Sequence, residues 1–404
     1  SMSISARKPP PAAAASVEVA VAATDRADGC SADARPGLGS ITLAALALPG
    51  LVGVAQAESA PTDGVISVKL QSYEDRQPGL ERIRVIAPSL YVLAPVASNW
   101  ALEASLVHDD ISGASPRWHS AISGASRMSD HRTAGTARVT RYFDRISVGV
   151  GGAFSEERDY RSRAASADVR WSTPDNNTTL YLGAGLTRDD INPVNGVVEN
   201  EHKRSNEFMV GATQAWTRND LVQFNVGHVV ASGYFNDPYK LVDKRPRERV
   251  QTTALARWNH HIEGLGVTVR SSYRFYRDSF GIRAHTATVE GVHPLGERFT
   301  LTPSLRYYTQ GKADFYYDPV YDPVIGEPYP PGRPRLSSSD HRLSAFGAIT
   351  VGAKLEWRID SRWSADFKYE RYEQRSNWRL GGNGSPGLAR LSADILQIGF
   401  SRRF

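Results

Sequence analysis

The chain has 404 residues and a formal net charge of +5, enough length for two or three ordinary domains or for one large barrel. Its 41% hydrophobic and 23% charged residues, 34 Gly, 17 Tyr, 13 Phe and 8 Trp, with a mean hydropathy of -0.39, exclude a helical membrane protein. They suit a barrel wall, in which alternate residues face lipid and water; cations spread along the chain instead of massed in a stripe argue against nucleic acid as a partner.

In chain order, the first feature is an Ala/Pro-rich leader carrying Arg7, Lys8, Arg26 and Arg35, read as an extended n-region or as a start placed too early. Residues 41–54 (ITLAALALPGLVGV) are an apolar run too short for a transmembrane helix, followed by the small-x-small pattern Ala55-Gln56-Ala57. Cleavage before Glu58 is expected, dividing the chain into a leader and signal peptide, 1–57, and one barrel domain, 58–404. Cys30, the one cysteine, precedes the apolar run, so the mature chain is expected to carry no lipid anchor, disulfide, covalent haem or cysteine-bound metal, and no cofactor.

Beyond Glu58 the hydrophobic period is two. Trp100, Leu102, Ala104 and Leu106 alternate with Ala101, Glu103 and Ser105, and the pattern returns at Ile146-Val148-Val150, Leu180-Leu182-Ala184-Leu186, Val222-Phe224-Val226, Val267-Val269-Ser271-Tyr273 and Phe299-Leu301-Pro303-Leu305-Tyr307. Each segment has an apolar and a polar face. Short turns are expected near 95–99, 144, 173–177, 218–220, 263, 293–297 and 360. Long connections fall near 111–129, 191–201, 233–247, 311–340 and 376–389, with tighter ones near 74–80, 156–159 and 278. Alternating short turns and long loops over roughly sixteen strands predict an all-β, antiparallel up-and-down transmembrane barrel with both ends in the periplasm. Trp100, Trp171, Trp216, Trp258, Trp357 and Trp363 fall near short turns and are expected to form an aromatic girdle. The last strand sets Phe400 and Phe404 on alternating positions, like the insertion signal of outer-membrane barrels, with Arg402 breaking the alternation.

The alternation points Glu103, Arg138, Asp168, Arg170, Arg270, Arg274, Arg306, Lys354, Asp366 and Lys368 inward. Two readings stay open: a charged pathway that selects solutes by field, or ion pairs that fill the interior. In the longest loop Tyr317, Asp318, Tyr321, Asp322 and Glu327 accompany repeated Asp-Pro, which makes a stiff cover over the pore or a group able to meet a cation; Asp237 repeats the theme. Gly/Ser turns followed by Arg117 and Arg127 present amides able to cradle an anion, with loop packing the plainer account. His260 and His261 point to opposite faces and cannot share a metal; His108, His119 and His131 with Asp109 and Asp110 could gather at the external mouth, though without a recognised ligand spacing. No nucleophile elbow is present, so enzymatic activity, a barrel hydrolase included, is not expected.

The segments ISGASRMSD from Ile122, DPYKLVDKRPRER from Asp237, ARWNHH from Ala256, YDPVYDPV from Tyr317, HRLSAFGA from His341 and ERYEQRSNWRLGGNGSPGL from Glu370 resemble a bacterial outer-membrane family known as DUF3570, a domain of unknown function. The resemblance implies one β-barrel domain and carries no substrate or catalytic residue. The expected function is therefore a porin-like channel or transporter for a small polar or ionic solute in the outer membrane of a Gram-negative envelope. The alternative is a scaffold or export barrel that binds a periplasmic or lipoprotein partner. Outer-membrane lipid, lipopolysaccharide and the barrel-assembly machinery are the other partners expected.

Overall fold

The computed structural model describes residues 59–114, 127–240, 242–318, 330, 332 and 334–404. The signal peptide, Cys30, Arg117, His119, Tyr321, Asp322 and Glu327 lie outside the described residues, as does the side chain of Arg127. The strands are β1 (Val65–Gln77), β2 (Leu80–Pro95), β3 (Trp100–Ala114), β4 (Arg127–Tyr142), β5 (Ile146–Glu156), β6 (Tyr160–Ser172), β7 (Thr178–Ile191), β8 (Glu201–Thr217) and β9 (Asp220–Gly233), then β10 (Asp243–Lys244), β11 (Glu248–Ile262), β12 (Val267–Asp278), β13 (Arg283–Leu295), β14 (Phe299–Gln310), β15 (Ser337–Ser338), β16 (Phe346–Arg358), β17 (Trp363–Arg375) and β18 (Leu391–Arg403). Sixteen of them close one antiparallel barrel, and β10 and β15 pair in a small ribbon between two loops. Every barrel pairing joins strands consecutive along the wall except the seam, where β1 pairs with β18 from Val65↔Arg403 to Arg76↔Ser392. Closure leaves no edge, so the backbone of the wall pairs strand to strand without needing water.

The faces follow the sequence period. Leu182 (63% exposed), Val150 (61%), Phe208 (56%) and Phe400 (54%) stand outward, while their neighbours on each strand point in. A belt of exposed aliphatics on strands paired into a closed wall is what lipid requires. All six tryptophans of the expected girdle are outward and at least 36% exposed, at the end where the short turns lie. Arg402 points outward as well, its guanidinium 5.5 Å from the Trp363 ring, so a break in apolar pattern becomes a cation over an aromatic at the interface.

Two expected boundaries shift. The turn placed at 293–297 shrinks to 296–298, because β13 runs through His293 and Pro294 to Leu295. The connection placed at 74–80 is instead strand through Gln77: Asp75 turns inward to Arg82, and Glu74 and Arg76 turn outward to each other across a bulge. Charge there marks strand that outruns the bilayer, not a loop.

Candidate functional site

The inner wall holds two different kinds of surface. On β1 to β8 the charged side chains are buried and joined in pairs. Arg82 meets Asp75, both fully buried; Arg132 Nε donates to Asp109 at 2.6 Å; Lys203 stands 3.3 Å from Asp189. Glu103 accepts a hydrogen bond from Tyr91 at 3.2 Å, and the Arg170 guanidinium lies 5.8 Å from the Tyr181 ring. Arg138 on β4 pairs with Asp168 on β6, across the intervening β5. It can do so because Gly149 stands between them: a Cβ there would lie 3.0 Å from the Asp168 carboxylate and closer still to the guanidinium. The same device recurs at the seam, where Lys69 on β1 reaches Asp366 on β17 at 3.8 Å over Gly399 on β18. Glu207, 3% exposed, differs from these pairs in having no ion pair among the described residues.

On β11 to β14 the inner face is wet. Arg257, Arg274 and Arg306 are half-buried and Arg270 is exposed, with Glu290 the carboxylate among them, directly across from Arg270. Lys354 and Lys368 face each other on β16 and β17, each beside a glutamate of its own strand: Lys354 is 3.8 Å from Glu356 and Lys368 is 3.3 Å from Glu370. The ten inward candidates thus all stand on the inner face, but they divide. Glu103, Arg138, Asp168, Arg170 and Asp366 belong to packed contacts; Arg270, Arg274 and Arg306 make an arginine-rich wall.

Toward the long-loop end the lumen fills. Tyr73, Ile83, Val85 and Ile111 of β1 to β3 join one buried cluster with Tyr308, Phe346, Tyr372, Leu391 and Ile395 of β14 to β18. The described ends of the β14–β16 connection, 311–318 and 334–345, fold inward beside it: Gln310, on the inner face, donates to the Arg342 and Ser344 carbonyls at 2.9 and 2.6 Å. Ala313, Tyr316 and Leu343 pack on Phe280, Phe235 and Ala231. Arg342 ties this loop to the β9–β11 connection, donating to Asp237 at 2.9 Å, and Arg245 from that connection meets Asp340 at 2.7 Å. Asp237 therefore stands in a loop-to-loop clamp. Tyr317 donates its amide to the Ser338 carbonyl at 3.1 Å, and Asp318 accepts from the Tyr316 hydroxyl at 3.2 Å.

Among the groups of this cover with shifted titration are Asp340 and His341. Burial would raise the Asp340 carboxyl, but the cations of Arg342, Lys240 and Arg245 outweigh it and hold the group well below the usual carboxylate range. Burial pushes the His341 imidazole well below its ordinary value, with Lys240, Arg82 and Arg342 adding to burial and Asp340 opposing it. His341 is therefore neutral while the cover is shut.

A cavity of about 1160 Å³ lies elsewhere, on the outer wall at the long-loop end, lined by Arg277, Arg283, Lys312, Arg379, His228 and His285 among others. The β17–β18 connection forms its roof, the Trp378 carbonyl accepting from Tyr307 at 2.5 Å; a Cβ at Gly347 would stand 2.0 Å from that carbonyl oxygen. Sequence reasoning gave this connection a length but not a direction. On the outer face of β3 and β4, His108, Asp110 and His131 gather with His131 Nδ1 2.6 Å from Asp110, all three exposed, whereas Asp109 turns inward to Arg132. His260 points outward to Asp220 at 2.8 Å and His261 bonds Thr268 at 3.0 Å on the other face. Phe400 is lipid-facing on β18; Phe404 follows the strand, its amide and carbonyl paired with Gly64.

The family described as "Protein of unknown function (DUF3570)" matches residues 38–139, 121–207 and 195–395. The chain belongs to it. Among curated proteins nothing matches this DUF3570 member. Among solved structures, a bacterial polysaccharide outer membrane secretin aligns over 84% of this chain and 98% of its own at 10% identity, TM-score 0.49. The CymD monoaromatic hydrocarbon channel aligns over 85% and 88% at 10% identity, TM-score 0.43. A Pseudomonas aeruginosa FadL homologue aligns over 85% and 90% at 12% identity, TM-score 0.40. Likenesses of this order assign no cargo.

Proposed function

We propose that this barrel is a gated outer-membrane channel for small polar solutes, with a preference for anions. The observation that carries the reading is the inner wall of β11 to β14, where Arg257, Arg270, Arg274 and Arg306 face the lumen with Glu290 as the carboxylate among them. A lumen wall of one dominant sign, wetted and partly shielded from bulk solvent, concentrates counter-ions. The inward loop, clamped to the β9–β11 connection by Arg342 to Asp237 and by Arg245 to Asp340, is the gate. Export through a cleaved signal peptide, insertion by the barrel-assembly machinery and the absence of catalysis belong to the same proposal.

The test is conductance of the refolded mature chain in planar bilayers under a salt gradient. The reversal potential should show anion preference, Arg270→Glu with Arg306→Glu should invert it, and Arg342→Ala should lengthen openings by freeing the gate. A closed trace in all three proteins, together with a stoichiometric periplasmic partner copurifying from membranes, would overturn the channel reading in favour of a scaffold.

A further inference from the structure

Three arginines stand side by side on the lipid-facing wall. Arg163 on β6 is the direct register partner of Arg188 on β7, which is in turn the direct partner of Arg204 on β8. All three are exposed, and all lie three residues in from the long-loop end of their strands, whose terminal residues are Tyr160, Ile191 and Glu201. Side chains at directly opposed positions have Cβ atoms about 5 Å apart, and like charges placed so repel. None of the three guanidiniums has an ion pair or a side-chain hydrogen bond among the described residues.

The carboxylates nearest in register are already engaged. In the row immediately outside, Glu156 bonds Arg161 at 3.0 Å and Asp190 bonds His202 at 2.9 Å. Nor is an unpaired row the habit of this rim. On β17, β18, β1 and β2 the outward cations at the same end are neutralised: Arg76 and Arg371 both reach Asp394, at 2.7 and 2.8 Å, Arg375 reaches Glu373 at 2.8 Å, and Arg84 reaches Glu74 at 3.3 Å. The row over β6 to β8 is thus a local surplus of charge without an anion among the described residues to balance it.

Immediately toward the membrane centre the same face becomes apolar: Leu186 (49% exposed) and Leu182 (63%) on β7, Phe208 and Val210 (both 56%) on β8, and Val169 (41%) on β6. A ligand that fits both must carry phosphate above and acyl chains below. We infer that Arg163, Arg188 and Arg204 are a binding site for the phosphorylated headgroup of lipopolysaccharide, with its acyl chains lying on the Leu186 to Val210 surface. Guanidinium matches phosphate by bidentate, charge-assisted hydrogen bonds, and a phosphate set between neighbouring arginines turns their repulsion into attraction. A second pair of directly opposed arginines, Arg277 and Arg283, stands at the same end of the outer wall, but there Asp278, Asp314 and Asp318 share the cavity lining with them.

This inference rests on the outer-membrane reading but not on conduction, so a barrel that never conducts leaves its test intact. The full mature chain in phosphatidylcholine nanodiscs is titrated with lipid A and with the same lipid stripped of its phosphates, bound lipid being read by native mass spectrometry. Lipid A should bind and the stripped lipid should not. Arg163→Gln, Arg188→Gln and Arg204→Gln together should weaken lipid A on the order of a hundredfold, at roughly fivefold per cation, whereas three lysines in their place should keep most of the affinity. Arg76→Gln, Arg84→Gln and Arg371→Gln on the paired rim should change little, and heat-modifiable gel mobility reports that each barrel has folded. Equal binding of the stripped lipid, or wild-type affinity in the folded glutamine triple, would overturn the assignment.

Discussion

The inner faces of β1 to β8 and of β11 to β14 have the same alternation and a similar supply of charge, yet one is packed and the other is wet. On the first, Arg138 is half-buried and Asp168, Lys203 and Asp189 are buried outright, each with an opposite charge in reach. On the second, Arg270 is exposed, Arg257, Arg274 and Arg306 are half-buried on the same face, and Glu290 stands directly across from Arg270. The difference teaches that a charged lumen residue is not evidence of a pathway until its partner is known. Paired charges brace a wall, and charge in surplus is what a solute can meet.

The largest test of that contrast is Arg138→Met. It strands Asp168 in a buried site, and a broken buried pair costs about 3–5 kcal/mol; urea unfolding from lipid vesicles should show the loss, and Arg138→Met with Asp168→Leu should recover much of it. Arg270→Met on the wet arc should move the same midpoint little. Equal costs at the two positions would erase the distinction between the arcs. Next in size, Leu182→Arg places a cation in the lipid-facing belt and should cost about 2–4 kcal/mol near mid-membrane, whereas Ser272→Arg on the wet inner face should fold normally. An unfolded Ser272→Arg with a stable Leu182→Arg would mean the faces are reversed.

The smallest effect concerns the cover and pH. His341 has a folded value below its ordinary 6.5, so the open loop binds a proton that the shut loop refuses. The stability of the shut state is complete above about pH 6.5 and declines as pH falls below it. Asp340, also depressed, acts in the same direction at lower pH, its contribution present above the usual carboxylate value and lost as pH drops toward its own. Acidification should therefore raise open probability in single-channel records, and His341→Gln should flatten the response between about pH 6.5 and 5. A response of equal steepness in that variant would remove His341 from the gate.

Much of this was legible in the chain. A period of two, read from residues such as Leu180, Leu182 and Leu186, gives strands and faces because the pleat imposes it, and the turns follow from polar breaks between them. The pairs were not legible, because Arg138 and Asp168 are joined through a third strand and only the register brings Gly149 between them. The arginine row needs two registers at once to align Arg163, Arg188 and Arg204. Loop direction was hidden too: the described ends of the β14–β16 connection turn in and the β17–β18 connection turns out, a choice made by tertiary contacts such as Gln310 to Ser344 and Tyr307 to Trp378.

The seam between β1 and β18 carries a consequence for assembly. All the other wall pairings join strands that follow one another along the wall, through short turns or long loops, but Val65 must find Arg403 from the opposite end of the domain. Until it does, β1 and β18 both present open ladders, and the Lys69 to Asp366 bridge over Gly399 is unmade. Closure is thus the one long-range pairing of the wall, and a chain that has not made it presents two open strand edges to whatever can pair with them.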